Sequence, residues 1–272
     1  MPVTGRLIHP ASVLLYNGAD PGEVDAEAQA AFLREPLPSA RVEVRGDFLW
    51  HFLEGRGAAV ERRSLAAQIA RARVRRPDER RISGEPLPGE VDYETKFLTA
   101  GPEKPAGILY DGQLLAGALA RLLHPNEVDR SVCHAVLTNQ LIGTWDGANA
   151  RYHARVAVFG FPTLISIPGL VEGPARPRQY YLQLGLGLPA GENGDGKAPP
   201  YLQRWDPRIR EALKGYLLQA VFYQAVGDPF CESADCRLYN AHWQEELIRA
   251  QTGPEAGLCP RHRRMLEEMS CS

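Results

Sequence analysis

Four residues near the C-terminus have the types and the spacing of a metal site. Cys231 and Cys236 bracket the sequence ESAD, and Cys259 and His262 form a Cys-x-x-His pair. Zn²⁺ prefers four sulfur or nitrogen ligands in a tetrahedron, and two close pairs on separate turns commonly supply them. Four protein ligands leave no coordination position for water. We therefore expect one closed, structural Zn²⁺ site that holds the C-terminal segment against the rest of the chain.

The alternative interpretation of these residues is three unrelated thiols and a surface histidine between arginines. The setting favours the metal, because both pairs lie in turn-rich sequence on either side of a helix predicted at about residues 241–251. The other two cysteines, Cys133 and Cys271, lack a partner at such spacing. We expect a buried thiol and a tail residue there.

Residues 151–181 hold more charged and polar side chains than a scaffold segment needs. The best candidate ligand pocket comprises Arg151, His153, Arg155, Glu172, Arg176, Arg178, Tyr180 and Tyr181, and the candidate ligand contacts among them are Arg151, His153, Glu172, Arg176 and Arg178. Pro174 and Pro177 fix the backbone between the arginines, which would preorganise guanidinium groups for a carboxylate or a phosphate. The alternative is an ordinary loop ion pair between Glu172 and one of the arginines that follow it.

His242 and Glu246 are four residues apart, so a helix over this segment would place both side chains on one face. A histidine beside a carboxylate can bind a metal ion or exchange protons. The alternative is structural: Trp243 packs the helix onto the body of the protein, and His242 contacts that body.

Eight arginines fall within residues 62–81. Such a segment could contact RNA or DNA phosphates, but it contains no aromatic residues on which bases could stack. We expect at most a salt-sensitive, non-specific contact with nucleic acid. The alternative is a solvated helix and loop.

The elements that must position these residues alternate between strand and helix. We predict strands at 12–16, 41–44, 131–137, 155–159 and 163–167, and helices at 23–34, 110–123 and 207–226. The helix at 207–226 has the capping residues expected at its ends, Asp206 and Pro207 at the start and Gly227 at the finish. The alternation predicts an α/β fold, with a mixed sheet packed against helices and a small zinc-stabilised module at the C-terminus.

The chain divides at about two thirds of its length. Residues 185–200, GLGLPAGENGDGKAPP, are too rich in glycine and proline for regular structure, which predicts a flexible loop. This loop separates an N-terminal α/β sheet region, 1–184, from the helix and zinc module of 201–272. We expect the two parts to form one compact domain.

The overall composition and charge bear on which partners the protein can attract. A chain of 272 residues, 44% of them hydrophobic, can bury a sizeable core. The formal net charge of -2 provides no overall attraction to nucleic acid or to anionic membranes. The sequence shows no signal peptide or membrane span. Three of its five cysteines have a spacing that suits a metal better than disulfides, which fits a reducing compartment. We expect a cytoplasmic protein without a membrane partner.

The residues that follow the helix predicted at 207–226 resemble the archaemetzincins, a family of zinc-dependent peptidases of the metzincin fold. In that family a helix bears His-Glu-x-x-His-x-x-Gly, two cysteines and a methionine follow, and a later Cys-x-x-Cys completes a structural zinc site. The corresponding residues here are Gly227, Cys231, Cys236, Leu238 in place of methionine, Cys259, and His262 in place of the final cysteine. The last spacing is a few residues longer, and the resemblance covers roughly residues 108–265.

The same register places residues without catalytic chemistry at the family's active-site positions. Ala220 and Val221 replace the first histidine and the glutamate, while Gln224 and Phe230 replace the second and third histidines. A metzincin needs imidazoles one helical turn apart and a carboxylate that takes a proton from bound water. No His-Glu-x-x-His occurs anywhere in the chain. The resemblance therefore implies a metzincin-like scaffold with one structural Zn²⁺ and no catalytic residues.

The leading hypothesis is a catalytically inactive, zinc-binding protein that acts as a binding or assembly module. Its partner would be an unidentified protein or an anionic ligand, bound at the surface of residues 151–181. Two alternatives stay open. The first is a hydrolase with a relocated active site formed by Glu172, His153, Arg176 and Arg178. The second is an RNA- or ribosome-associated factor that uses the arginine segment 62–81.

Overall fold

The computed structural model describes residues 7–20, 22–54, 59–80, 84–100, 107–188 and 200–270. Within these residues, eight strands form two sheets. The strands are β1 (Ser12–Gly18), β2 (Arg41–Arg45), β3 (Leu109–Asp111), β4 (Val132–Thr138), β5 (Leu141–Asp146), β6 (Arg151–Arg155), β7 (Ala157–Val158) and β8 (Thr163–Ser166).

The same residues form ten α-helices and a short 3-10 helix at Pro125–Glu127. The helices are α1 (Ala26–Arg34), α2 (Phe48–Leu53), α3 (Ala59–Arg71), α4 (Pro88–Ala100), α5 (Gly112–Ala120), α6 (Ile167–Glu172), α7 (Arg178–Gly185), α8 (Arg208–Val226), α9 (Gln244–Thr252) and α10 (Pro260–Ser270). Among the described helices, none combines the length and the apolarity that crossing a lipid bilayer requires.

The larger sheet has the strand order β2-β1-β4-β8-β7. Its first four strands run parallel, and β7 pairs antiparallel with β8 at the edge. The central strands are apolar on both faces, as expected of a parallel sheet covered on both sides. Leu15 and Leu137 lie in one hydrophobic core, and Tyr16 and Val136 lie in another. The α/β fold predicted from the alternation of elements is confirmed.

The smaller sheet has the order β3-β5-β6, and β5 and β6 form an antiparallel hairpin. Its register pairs Ile142 with Arg155, Thr144 with His153 and Asp146 with Arg151. Residues directly opposite each other project from the same face of an antiparallel pair. One face of this hairpin therefore carries most of its polar and charged side chains.

Helix α8 begins and ends where its capping residues predict. The Asp206 carbonyl accepts a hydrogen bond from Ile209 N at 2.9 Å, and its carboxylate accepts one from Arg208 N at 2.9 Å. Gly227 ends the helix with a φ of 77°, in the left-handed region that favours glycine. The helix predicted at 207–226 is confirmed to within one residue.

Two predicted elements include residues that belong to a different strand in the structure. The helix predicted at 110–123 begins only at Gly112, because Leu109–Asp111 pair with β5 as strand β3. The strand predicted at 155–159 divides after Arg155, where β6 leaves the smaller sheet and the chain enters β7 of the larger one. Local alternation could not show this change of sheet.

One hydrophobic core joins the parallel sheet to the C-terminal helices. It extends from Val13 in β1 through Leu217 in α8 to Leu266 in α10. Helix α7 includes Gly185, the first residue of the predicted loop, and residues 189–199 lie outside the described part of the chain. The division of the chain around this loop stays a prediction.

Helices α8 and α9 cross closely at Gly215. A Cβ at this position would overlap the side-chain amide of the buried residue Gln251. Gln251 is held in place because its Nε2 donates to Arg237 O at 2.9 Å. The contact thus requires glycine on α8.

We expect Gly215→Ala to lower the free energy of unfolding by about 1–3 kcal/mol, because overpacking displaces the buried Gln251 amide. The matched control is Gly117→Ala in α5, where an added Cβ meets open space. Helix propensity predicts a gain of about 0.5–1 kcal/mol for the control. Chemical denaturation measures both changes. A Gly215 variant as stable as the wild type would contradict the close crossing.

Candidate metal centre and adjoining cleft

The side chains of Cys231, Cys236, Cys259 and His262 converge. Their four candidate ligand atoms all lie within 4.8 Å of one another. Cys231 Sγ and Cys259 Sγ are 3.9 Å apart, and His262 Nδ1 lies 3.9 Å from Cys236 Sγ and 3.2 Å from Cys259 Sγ. Sulfur atoms about 2.3 Å and nitrogen atoms about 2.0 Å from a tetrahedral ion lie about 3.5–3.8 Å apart. The cluster could therefore hold a metal ion.

The loop after α8 positions the first pair of ligands. The chain reverses at Gly227, and Cys231 N donates to Leu238 O at 2.8 Å, which closes the loop on itself. Cys236 forms an isolated β-bridge with Gly257, near the start of α10. These backbone contacts bring both cysteines towards the second pair.

Helix α10 positions the second pair. Cys259 directly precedes the helix and His262 lies in its first turn, where Arg263 N donates to Cys259 O at 2.9 Å. His262 is buried, and its ring meets the ring of Phe222 in α8 edge-on at a centroid distance of 5.4 Å. The imidazole is therefore supported by the main hydrophobic core.

Burial and backbone N–H groups determine the protonation of the cluster. Ser233 N donates to Cys231 Sγ at 3.3 Å, and Cys259 N donates to Cys236 Sγ at 3.5 Å. Burial raises the pKa of Cys231 to about 12 and also raises the pKa of Cys236. Burial acts in the same direction on Cys259, but hydrogen bonds, first from the backbone of His262, lower the pKa of that thiol overall. Burial lowers the pKa of His262. Metal binding to thiolates releases protons, so affinity should rise with pH.

The four positions at which the expected resemblance would place the catalytic residues of archaemetzincins serve packing and backbone hydrogen bonding. Ala220 and Val221 are fully buried in the core. Gln224 Nε2 donates to a backbone carbonyl at 2.7 Å. Phe230 packs edge-on against Phe159, with ring centroids 5.5 Å apart.

A cleft of about 730 Å³ lies next to this centre. The polar face of the β5–β6 hairpin and the edge strand β7 form part of its wall. Tyr216 and Gln219 of α8 and the segment 239–243 also line it. A cleft of this size can take a small organic molecule or a few residues of a peptide.

The loop that carries Cys231 and Cys236 forms part of the cleft wall. Phe230 directly precedes Cys231, and Tyr239 forms a β-bridge with Cys231. Both aromatic side chains line the cleft, and Gln219 Nε2 donates to Tyr239 O at 3.3 Å. A metal ion bound to the cluster would therefore fix this side of the cleft.

The prediction that His242 and Glu246 share one face of a helix is wrong. Helix α9 begins at Gln244, so His242 lies before the helix. The Glu246 carboxylate instead accepts hydrogen bonds from His242 N at 2.8 Å and Trp243 N at 3.1 Å, and so stabilises the start of the helix. His242 and Trp243 both line the cleft.

The structure does not bring together the five residues predicted as ligand contacts. His153 lines the cleft, and its Nε2 lies 3.4 Å from Asp146 Oδ2. Arg176 is buried elsewhere: its Nη2 donates to Val171 O at 2.7 Å, and its guanidinium lies 4.6 Å from the centroid of the Tyr180 ring. Three others are exposed and are absent from the described lining of the cleft: Arg151, Glu172 and Arg178.

Arg155, one of the residues predicted for the ligand pocket, lines the cleft together with His153, which lies two residues earlier on the same face of β6. Sequence reasoning missed Tyr216 and Gln219 of the cleft. Tyr216 and Gln219 gave no comparable signal, because an apolar helix predicts core residues at both positions. The convergence of separate elements creates the cleft.

Within the arginine segment, residues 62–71 belong to α3, residues 72–80 follow it, and Arg81 lies outside the described residues. Several of the described arginines pair with acidic residues. Arg71 lies 2.8 Å from Glu85, and Arg75 lies 2.7 Å from Glu90. The hydrogen bond from Arg75 lowers the pKa of Glu90 to about 2. Such pairing reduces the positive potential that the segment offers to phosphates.

A family model described as "Family of unknown function (DUF7001)" matches residues 14–265 of the chain. No curated protein and no solved structure matches it. The matched residues include both the cysteine and histidine cluster and the cleft.

We expect Cys236→Ala to abolish stoichiometric metal binding, because it removes the most buried of the three sulfur ligands. The C-terminal helices should then become sensitive to proteolysis. Cys133→Ala is the matched control, since Cys133 is buried in β4 outside the cluster. Elemental analysis of the purified variants and limited proteolysis measure the two effects. Full metal content in the Cys236 variant would exclude this site.

Proposed function

We propose that this chain, which belongs to the family of unknown function (DUF7001), is a binding protein without peptidase activity on a zinc-stabilised, archaemetzincin-like scaffold. One observation carries the proposal. The loop that supplies Cys231 and Cys236 also places Phe230 and Tyr239 in the wall of the cleft. In this proposal the metal stabilises a binding surface and activates no nucleophile.

The donor atoms favour zinc. Three thiols and one imidazole form the cluster. Thiolates suit Zn²⁺ and other soft or borderline ions, whereas Ca²⁺ and Mg²⁺ prefer oxygen ligands. Four protein ligands complete a tetrahedron and leave no position for water or substrate. These arguments support one structural Zn²⁺ per chain.

The residue types on α8 argue against zinc-dependent hydrolysis at the position implied by the resemblance. Ala220 and Val221 provide neither a metal ligand nor a proton acceptor, and both are fully buried. The Gln224 amide is already hydrogen-bonded, and Phe230 offers an aromatic ring to the cleft. Activation of water at this position would need imidazoles and a carboxylate.

The cleft has the mixed character of a binding site. Aromatic side chains such as Trp243 and Tyr239 line it together with polar groups such as Gln219 and His153. Ligand sites typically combine apolar walls with a few polar groups that orient the ligand. We therefore place the binding of a protein segment or a small anionic ligand in this cleft. The proposed binding site is thus the cleft, and not the whole surface of residues 151–181.

We expect the purified protein to contain about one Zn²⁺ per chain and to leave general peptide substrates uncleaved, with or without added zinc. X-ray fluorescence identifies the metal, and anomalous scattering locates it. A fluorogenic casein assay measures cleavage. The proposal fails if cleavage is observed, is abolished by a chelator and returns with zinc.

A further inference from the structure

Arg155 is a half-buried cation that lines the cleft at the end of β6. Its Nε donates to Thr144 Oγ1 at 2.8 Å, across the β5–β6 hairpin. Among the described residues, none pairs with the two terminal nitrogens of this guanidinium. A cation that has lost part of its hydration without gaining a counter-ion is stabilised when an anion binds.

The backbone at Arg155 is held tightly. Ser166 N donates to Val156 O at 2.7 Å, which fixes the residue that follows. Gly169 in α6 packs so closely against the Arg155 carbonyl that an added Cβ would overlap it. Together with the hydrogen bond to the threonine hydroxyl, these contacts orient the guanidinium before a ligand arrives.

The Asp146 carboxylate is hydrogen-bonded within the hairpin, whereas the two terminal nitrogens of Arg155 have no partner among the described residues. Asp146 is the one acidic residue among the described residues that line the cleft. Its carboxylate accepts hydrogen bonds from Ala148 N at 2.9 Å and from Asn149 Nδ2 at 2.6 Å, and His153 Nε2 lies 3.4 Å away. The cleft therefore favours an anionic ligand over a cationic one.

Two aromatic side chains extend the cleft beyond its charged part. Trp243 is 44% exposed and Phe230 is 39% exposed, and both line the cleft. Exposed aromatic surface in a concave site offers stacking to a flat apolar group. His153 and His242 also line the cleft and can add N–H groups to the contacts with an anion.

We propose that the cleft binds an organic anion whose carboxylate or phosphate contacts Arg155 and whose flat apolar part lies against Trp243 and Phe230. The inference rests on the proposed function, because it assigns a ligand class to the same cleft. It does not depend on the identity of the metal.

Three probes with one ring test the inference: benzoate, phenyl phosphate and benzamide. Benzamide has nearly the shape of benzoate but no charge. We expect at least one anion to bind the zinc-loaded, full-length protein about tenfold or more tightly than benzamide, as measured by calorimetric or NMR titration. The tighter of the two anions then identifies the carboxylate or the phosphate as the natural group.

Substitutions of Arg155 test whether its guanidinium binds the anion. We expect Arg155→Gln to weaken binding of the preferred anion about tenfold or more and to leave benzamide unaffected. Arg155→Lys keeps the charge without the planar donor pair, so it should cause an intermediate loss. The control Arg151→Gln removes the same charge from the same strand at an exposed position. It should change affinity less than about twofold, because solvent screens that charge.

Circular dichroism checks that each variant is folded. If Arg155→Gln does not fold, the affinity of Arg155→Lys is compared with that of the wild type instead. Equal affinity for all three probes, no binding at millimolar concentration, or equal losses in the Arg151 and Arg155 variants would overturn the inference. Zinc content and peptide cleavage are measured on the same samples. These two measurements test the proposed function independently of the result for anion binding.

Discussion

The C-terminal third of the molecule depends on the convergence of two thiols before α9 with a thiol and an imidazole after it. Helices α9 and α10 have 9 and 11 residues, too few for stability as isolated helices in water. The cluster ties the loop after α8 to the start of α10, and the contact of His262 with Phe222 anchors that tie in the main core. Coordination energy at this cluster would contribute directly to the folding of the segment.

The middle of α8 is packed too tightly for larger side chains. Ala220 and Val221 allow the sheet and the C-terminal segment to approach this helix closely, since both are fully buried. An imidazole at position 220 would need space that the core does not provide. Two other residues of α8 line the cleft: Tyr216, one turn before Ala220, and Gln219, which directly precedes it.

Features with a local signal could be predicted from the sequence, and those created by tertiary packing could not. The cysteine and histidine pairs, the ends of α8 and the apolar parallel strands each depend on residues close together in the chain. The cleft depends on a hairpin, an edge strand and a C-terminal loop that meet only in the folded protein. The prediction that His242 and Glu246 share a helix face is wrong for a different reason. Spacing of four residues fits a pair on a helix face as well as a carboxylate that caps the helix, and the position of the helix start decides between them.

Arg155 and Arg176 show why the number of arginines in a segment says little about binding. Arg176 is the more deeply buried, but its Nη2 donates to the carbonyls of Val171 and Leu202, and its guanidinium lies over the Tyr180 ring. It therefore holds the protein together. Among the described residues, the Arg155 guanidinium makes one hydrogen bond, through Nε, and it lines the cleft. An anion that pairs with it would bind only the folded chain, so under the anion-binding proposal occupancy of the cleft would stabilise the fold.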